Sequence, residues 1–167
     1  MSYYAWIVIN VLFVLGSGVY IWLFQENQSL SVITGQLLAQ AGILLFLVNV
    51  NMYFIFLVIR KSKIRKLRTT LAKLSRKMMK AHIPMAIVGT AFVTVHAIIM
   101  LIELGDRIGF FHGKLVSGYF SILFLVLTLF AGYLRHKKSS GFRKKFHRTT
   151  AFTFTVAFTI HLFFPLY

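Results

Sequence analysis

The sequence predicts an all-α integral membrane protein, a bundle of about five transmembrane helices. Two features of composition and one of charge predict it. The 167 residues are 58% hydrophobic and only 13% charged, whereas soluble domains are near half apolar and about a quarter charged. The apolar residues fall in continuous runs rather than alternating ones, which selects helices over barrel strands, since lipid forbids an open sheet edge. The net charge of +16 would suit a nucleic-acid partner, but a DNA-binding domain interleaves its bases with polar residues. Here they sit in two blocks between apolar runs, so membrane lipid is the expected partner and nucleic acid is not.

The runs place spans at Tyr3 to Phe24, Gly35 to Ile59, Ile83 to Leu104, Gly113 to Leu134 and Thr149 to Pro165, each near the ~20 helical residues that cross a hydrocarbon core. The first lacks a basic leader and a small-residue cleavage site and opens on Tyr3, Tyr4 and Trp6, a set suited to an interfacial belt, so it is expected to be a retained helix. Between the second and third lies a basic segment, 60–82, with Ile64, Leu67, Leu71, Leu74 and Met78 at helical spacing. It reads as an amphipathic helix, either lying on anionic lipid or extending a span. The fifth span is short and should stand nearly upright. The whole of 1–167 reads as one transmembrane domain, without a P-loop or a dinucleotide-binding glycine motif.

Charge gives the orientation. Ten of the 19 Lys and Arg lie between Arg60 and Lys80 and seven between Arg135 and Arg148, while Glu26, Glu103 and Asp106, the three acids, occupy the other loops. Basic loops stay cytoplasmic. The expectation is a multi-pass protein of the cell membrane with a cytoplasmic N-terminus and its C-terminus, at Tyr167, outside.

Histidine spacing carries the chemistry. His82 and His96 lie fourteen positions apart on the third span, and His147 and His161 repeat that interval on the fifth. Fourteen steps fall about 40° short of four turns, so each pair shares a helix face, separated by roughly 21 Å along the axis. Both spans run from inside to outside, which puts His82 level with His147 and His96 level with His161. Two cross-helix pairs at matched depths suit two bis-histidine haems between the third and fifth spans: an inner one on His82 and His147, an outer one on His96 and His161. Pro84 pushes Ile83 away from helical geometry, so His82 is expected on an irregular first turn. With no cysteine in the chain, covalent attachment through Cys-x-x-Cys-His is excluded and the haems would be of b type.

Other residues follow from that geometry. Gly89 is midway between His82 and His96, and Gly118 and Gly132 on the fourth span repeat the histidine interval; missing side chains there would admit a macrocycle or a neighbouring helix. Phe154 is the midpoint of the fifth span and reads first as core packing. Lys80 and Arg148, with Lys145, flank the inner pair and could neutralise propionates, although positive-inside anchoring explains them equally; Lys114 and Arg107 are the outer candidates. His112 and His136 are reserve ligands at the ends of the fourth span, and Thr94 and Thr150 are candidate acceptors for the ligands' second N–H.

Two helices that each carry His, thirteen intervening positions and His, flanked by short basic loops, resemble the transmembrane part of ferric reductases and NADPH oxidases, and more loosely cytochrome b561-type proteins. The resemblance covers Lys80 to the C-terminus and rests on His82, His96, His147 and His161. It implies two stacked b-type haems carrying electrons across the membrane. No flavin and nicotinamide module follows, and five spans stand where six are usual. The donor is then expected to be a separate reductase or a quinol, with an acceptor on the outer face. The alternative is a non-redox haem carrier or an accessory subunit of a larger oxidoreductase; a proton or divalent-metal transporter is less favoured, since intramembrane carboxylates are lacking.

Overall fold

The computed structural model describes residues 3–24 and 29–166. Among them are five helices and no strand: α1 (Tyr3–Phe24), α2 (Leu30–Lys61), α3 (Arg65–Ile108), α4 (Gly113–Lys137) and α5 (Gly141–Phe163). Glu26 and Tyr167, expected on the outer side, lie outside the described residues, as do the side chains of Tyr3 and Tyr4. Four helices, α1 to α4, are long and apolar enough to cross a membrane, an all-α architecture consistent with a multi-pass membrane protein. Within their apolar runs many exposed positions are large hydrophobics, as at Leu12, Ile87, Ile102 and Val126. In water such faces would be an aggregation surface, and in a bilayer they meet their natural solvent.

The fifth expected span falls short of that measure. α5 contains His147, Arg148, His161 and five threonines, and their polarity dilutes its apolar run. The local geometry offsets part of this: the hydroxyls of Thr150, Thr153, Thr155 and Thr159 all donate to carbonyls three or four residues back on the same helix. Hydroxyls satisfied in this way no longer ask for water.

The described residues form two compact units, Met1–His96 and Ala97–Tyr167. In the first, α1 is tied to α2 by a closed polar ring. Trp6 Nε1 donates to Asn51 Oδ1 at 2.8 Å, Asn51 Nδ2 to Asn10 Oδ1 at 2.7 Å, and Asn10 Nδ2 to the Trp6 carbonyl at 2.8 Å. Each member is satisfied by another, which makes an amide tolerable at this depth. A three-residue turn, 62–64, then reverses the chain into α3, with the Ser62 N–H closing onto the Val58 carbonyl at 2.8 Å. Between α2 and α3 the backbones approach at small residues. A Cβ on Gly42 would stand 2.9 Å from Val93 Cγ2, and one on Gly89 would stand 3.4 Å from Leu45 Cβ. Gly89 therefore makes room for α2.

α3 has 44 residues, about 66 Å at 1.5 Å per residue and more than twice a hydrocarbon core. Of the two alternatives for the basic segment, the structure has the extension: the helix begins at Arg65 and continues unbroken through Pro84. The irregular turn expected at His82 does not form. Proline removes only the N–H that would have met Lys80, and a helix already established over the preceding residues absorbs that single loss. The apolar stripe is also narrower than its spacing implies. Leu71 and Ser75 are buried, with Leu67 and Met78 beside them half-buried, while Ile64 and Leu74 are exposed.

In the second unit α4 and α5 form an antiparallel pair joined by three residues, 138–140, and each caps the other. Arg143, in the first turn of α5, donates to the carbonyls of Leu134 and Lys138 at the end of α4 (2.9 and 3.2 Å). Lys114, in the first turn of α4, donates to the carbonyls of His161, Leu162 and Phe164 at the end of α5 (2.9, 3.2 and 2.9 Å). Cations at a helix C-terminus satisfy orphan carbonyls and meet the negative end of its dipole. Gly109, at φ 82°, supplies the left-handed residue that turns α3 towards α4. Leu104, Leu115 and Leu166 form a small core, with Met100 and Ile108 packed against it.

The α2–α3 approach generates a prediction. Gly42→Leu should destabilise the detergent-solubilised protein by about 1–3 kcal/mol through overpacking against stiff, β-branched Val93. Gly18→Leu on α1, where an added Cβ meets nothing within 4 Å, should leave the thermal midpoint nearly unchanged.

Candidate functional site

An imidazole within an apolar helix bundle must place its N–H on an acceptor, and the acceptor chosen fixes which nitrogen keeps the lone pair. All four spaced histidines make the same choice. His82 Nδ1 donates to Asn49 Oδ1 at 3.1 Å, His96 Nδ1 to the Gly35 carbonyl at 2.8 Å, His147 Nδ1 to the Thr128 carbonyl at 3.2 Å, and His161 Nδ1 to the Lys114 carbonyl at 3.1 Å. An oxygen without a hydrogen can only accept. Each ring therefore carries a proton on Nδ1, and in a neutral imidazole that makes Nε2 the unprotonated nitrogen, the arrangement in which histidine ligates a metal and is oriented by its other nitrogen.

The acceptors come from the antiparallel neighbour at the histidines' own spacing. Gly35 and Asn49 on α2 repeat the interval between His82 and His96, and Lys114 and Thr128 on α4 repeat the interval between His147 and His161. One register thus serves both contacts of each helix pair, and in the first unit Gly42 and Gly89 are the midpoints of that register.

Glycine explains how a main-chain carbonyl inside α4 accepts a second bond. Side chains on a helix lean towards its N-terminus and cover the turn below. Four positions beyond Lys114 and Thr128 stand Gly118 and Gly132. A Cβ on Gly118 would come within 3.1 Å of His161 Cε1, and one on Gly132 within 3.3 Å of His147 Cε1. These glycines are seats for the imidazoles. The sequence suggests room for a macrocycle or a helix, and what occupies the space is the histidine ring itself.

Further contacts surround His82 and His161. Asn49 also turns its amide N–H towards the His82 carbonyl, at 3.4 Å, so one amide spans side chain and main chain. Ser117 Oγ lies 3.1 Å from His161 Nδ1 while donating to the Lys114 carbonyl at 2.8 Å, which gives the ring proton two acceptors. Thr94 and Thr150 do not serve as acceptors for the rings. Their hydroxyls donate to Thr90 and His147 carbonyls on their own helix, because the neighbouring turn is nearer than any ring.

The reserve histidines differ in kind. His112 is the N-cap of α4 and its Nδ1 accepts the Lys114 N–H at 3.2 Å, which puts its proton on Nε2 and reverses the pattern of the four. His136 is exposed in the last turn of α4. Lys80, Lys145 and Arg148 flank the inner histidines in sequence; Lys80 and Arg148 are exposed and Lys145 is exposed as well. The outer candidates are committed elsewhere: Lys114 has three carbonyls for its three N–H groups, and Arg107 stands 3.9 Å from Glu103. Phe154 is buried with its ring 5.9 Å from Phe158, which is the packing role expected first. Among the described residues no three His, Asp or Glu side chains converge as a metal cage; a haem iron asks the protein for two ligands.

Sequence reasoning does not reach Asn49, Gly35, Ser117 or Thr128. The available signal is the mirrored spacing: reflecting the histidine interval through an antiparallel neighbour leads from His82 and His96 to Asn49 and Gly35. No family model, curated protein or solved structure matches this chain.

The tautomers can be checked without any cofactor. In ¹⁵N-histidine-labelled protein, His82, His96, His147 and His161 should show protonated Nδ1 and His112 protonated Nε2. Protonation at Nε2 in any of the four would break the pattern.

Proposed function

We propose that the chain is a di-haem b-type membrane cytochrome that moves electrons across the bilayer, from a cytoplasmic-side reductase or a quinol to an acceptor on the outer face. The observation that carries the proposal is the common contact: four spaced imidazoles, each oriented through Nδ1 by an oxygen on its antiparallel neighbour, with Nε2 as the ligating nitrogen in this reading. A structural histidine needs any hydrogen bond that satisfies it. Four identical choices at a repeated spacing are better explained by a shared ligand role, and the donor chemistry fits a bis-imidazole haem.

In this reading His82 and His147 hold an inner haem, and His96 and His161 an outer one. Haem, when bound, supplies a one-electron couple whose potential the axial ligands and their surroundings tune. The chain's own part is to orient the rings. Nδ1–H donation to a carbonyl raises the basicity of Nε2 and fixes the ring plane, and the glycine seats at Gly118 and Gly132 hold two of the imidazoles against α4. Lys80 and Arg148, close in sequence to His82 and His147, are available to inner propionates.

The reading also requires α5 to cross the membrane, with the N-terminus cytoplasmic and the C-terminus outside in the cell membrane. The back-bonded threonines support insertion of α5 despite its composition, and the one-sided basic loops support the orientation. The His-x13-His spacing shared with ferric reductase transmembrane domains supports the choice of cofactor.

A reduced-minus-oxidised spectrum of the purified protein tests this directly. Expected are b-type bands with two haems per chain. Alanine at His96 or His161 should remove one haem, and alanine at His82 or His147 the other; a colourless protein, or loss of both haems from any single change, overturns the assignment. Proteoliposomes loaded with reductant then separate conduit from carrier, since only a conduit reduces an impermeant acceptor outside.

A further inference from the structure

Lys114 is the one charged residue among the described residues that is buried, at 8% exposure. Its ammonium is spent on the last turn of α5, and one of its three acceptors is the carbonyl of His161 itself. Its own carbonyl accepts the ring proton of that same histidine. The residue thus grips His161 by main chain and side chain together, and brings a positive charge into an apolar site beside a proposed haem ligand.

The field of α5 gives that charge a consequence. A helix carries roughly half a positive charge at its N-terminus and half a negative charge at its C-terminus. His147 is in the second turn of α5 and His161 in its last. Left bare, the helix would set its negative end beside His161 and its positive end nearer His147. A bis-imidazole haem gains a positive charge on oxidation, so the negative end would favour the oxidised state at His161. Electrons would then be held at the His147 end, against the proposed direction. An ammonium on the final carbonyls reverses the sign of that bias, and burial in low dielectric lengthens its reach.

We propose that Lys114 is a positioning and potential-setting residue: it raises the reduction potential of the haem ligated by His161, so that the outer haem draws electrons outward. This rests on the haem reading above.

The test is potentiometric titration of both haems in the whole chain, with the His161→Ala spectrum used to assign the outer haem. Lys114→Met should shift the outer midpoint to lower potential and leave the inner one in place. Lys114→Gln, which keeps a donor for the carbonyls without the charge, should shift it in the same direction, and Lys114→Arg should restore a midpoint near that of the unsubstituted protein. If Lys114→Met loses the outer haem, the glutamine variant decides. An outer midpoint unmoved in the glutamine variant, or lowered as far by arginine as by methionine, overturns the proposal and leaves Lys114 a helix cap. A haem-free wild-type protein removes the reading beneath it, and that failure shows before any variant is made.

Discussion

The bond from each imidazole Nδ1–H to an oxygen on the neighbouring helix is the constraint on which the other features depend. A neutral histidine within an apolar bundle carries one donor and one acceptor, and an unmet donor there costs several kcal/mol on the water-to-hydrocarbon scale. Meeting it on a partner helix fixes three things together: the proton sits on Nδ1, the ring plane is set, and the two helices are held in one register. The second bond in each pair must then fall at the same interval on both helices. Gly35 with Asn49, and Lys114 with Thr128, are the residues that this register demands.

A carbonyl inside a helix is already committed to the N–H four residues on, and the side chain at that position lies over it. Opening such a carbonyl to a ring requires the cover to be absent. In α4 this is met by Gly118 and Gly132. In α2 the solution differs: the position four beyond Gly35 is Ala39, whose single methyl is a small cover, and Asn49 offers an amide oxygen on a stalk, which avoids the need for close backbone approach at that depth. The same requirement has two chemical answers, a carbonyl under little or no cover and a polar side chain.

Much of the fold is legible in the sequence because its signals are long. Long apolar runs, interrupted by seventeen bases in two blocks, leave few alternatives to a helical membrane protein, and the bounds of α1 coincide with the expected span. What is not legible turns on local competition. Pro84 reads as a helix disturbance, but a helix begun at Arg65 carries through it. The last run reads as apolar enough to span, but the threonines and charged first turns of α5 dilute it, and only the hydroxyl contacts reveal how that polarity is contained. At the site, the histidine spacing and the glycine spacing are both visible. Their connection is not, because it passes through main-chain carbonyls, which any residue supplies and no side-chain pattern marks. The role of Lys114 is hidden for a related reason: a lone lysine near a helix start reads as a propionate candidate until its three carbonyl acceptors are seen.

The two units meet the same demand with unequal connections. Asn49 and its partner His82 are separated by 33 in sequence, whereas Thr128 and its partner His147 are separated by 19. The excess in the first unit equals the histidine interval, about four helical turns, and it is taken up by the longer end of α2 and the basic start of α3. Each histidine pair keeps its interval while the linker between acceptor and ligand varies, so no repeat is visible when the two halves are aligned end to end. What is held constant is the axial distance between imidazoles, roughly 21 Å at 1.5 Å per residue, with one antiparallel neighbour to orient both. An interval shared by ligands and acceptors, and indifferent to everything between the helices, indicates that depth along the helix axis is the quantity the chain specifies. Depth is what a cofactor pair spanning a bilayer would require of it.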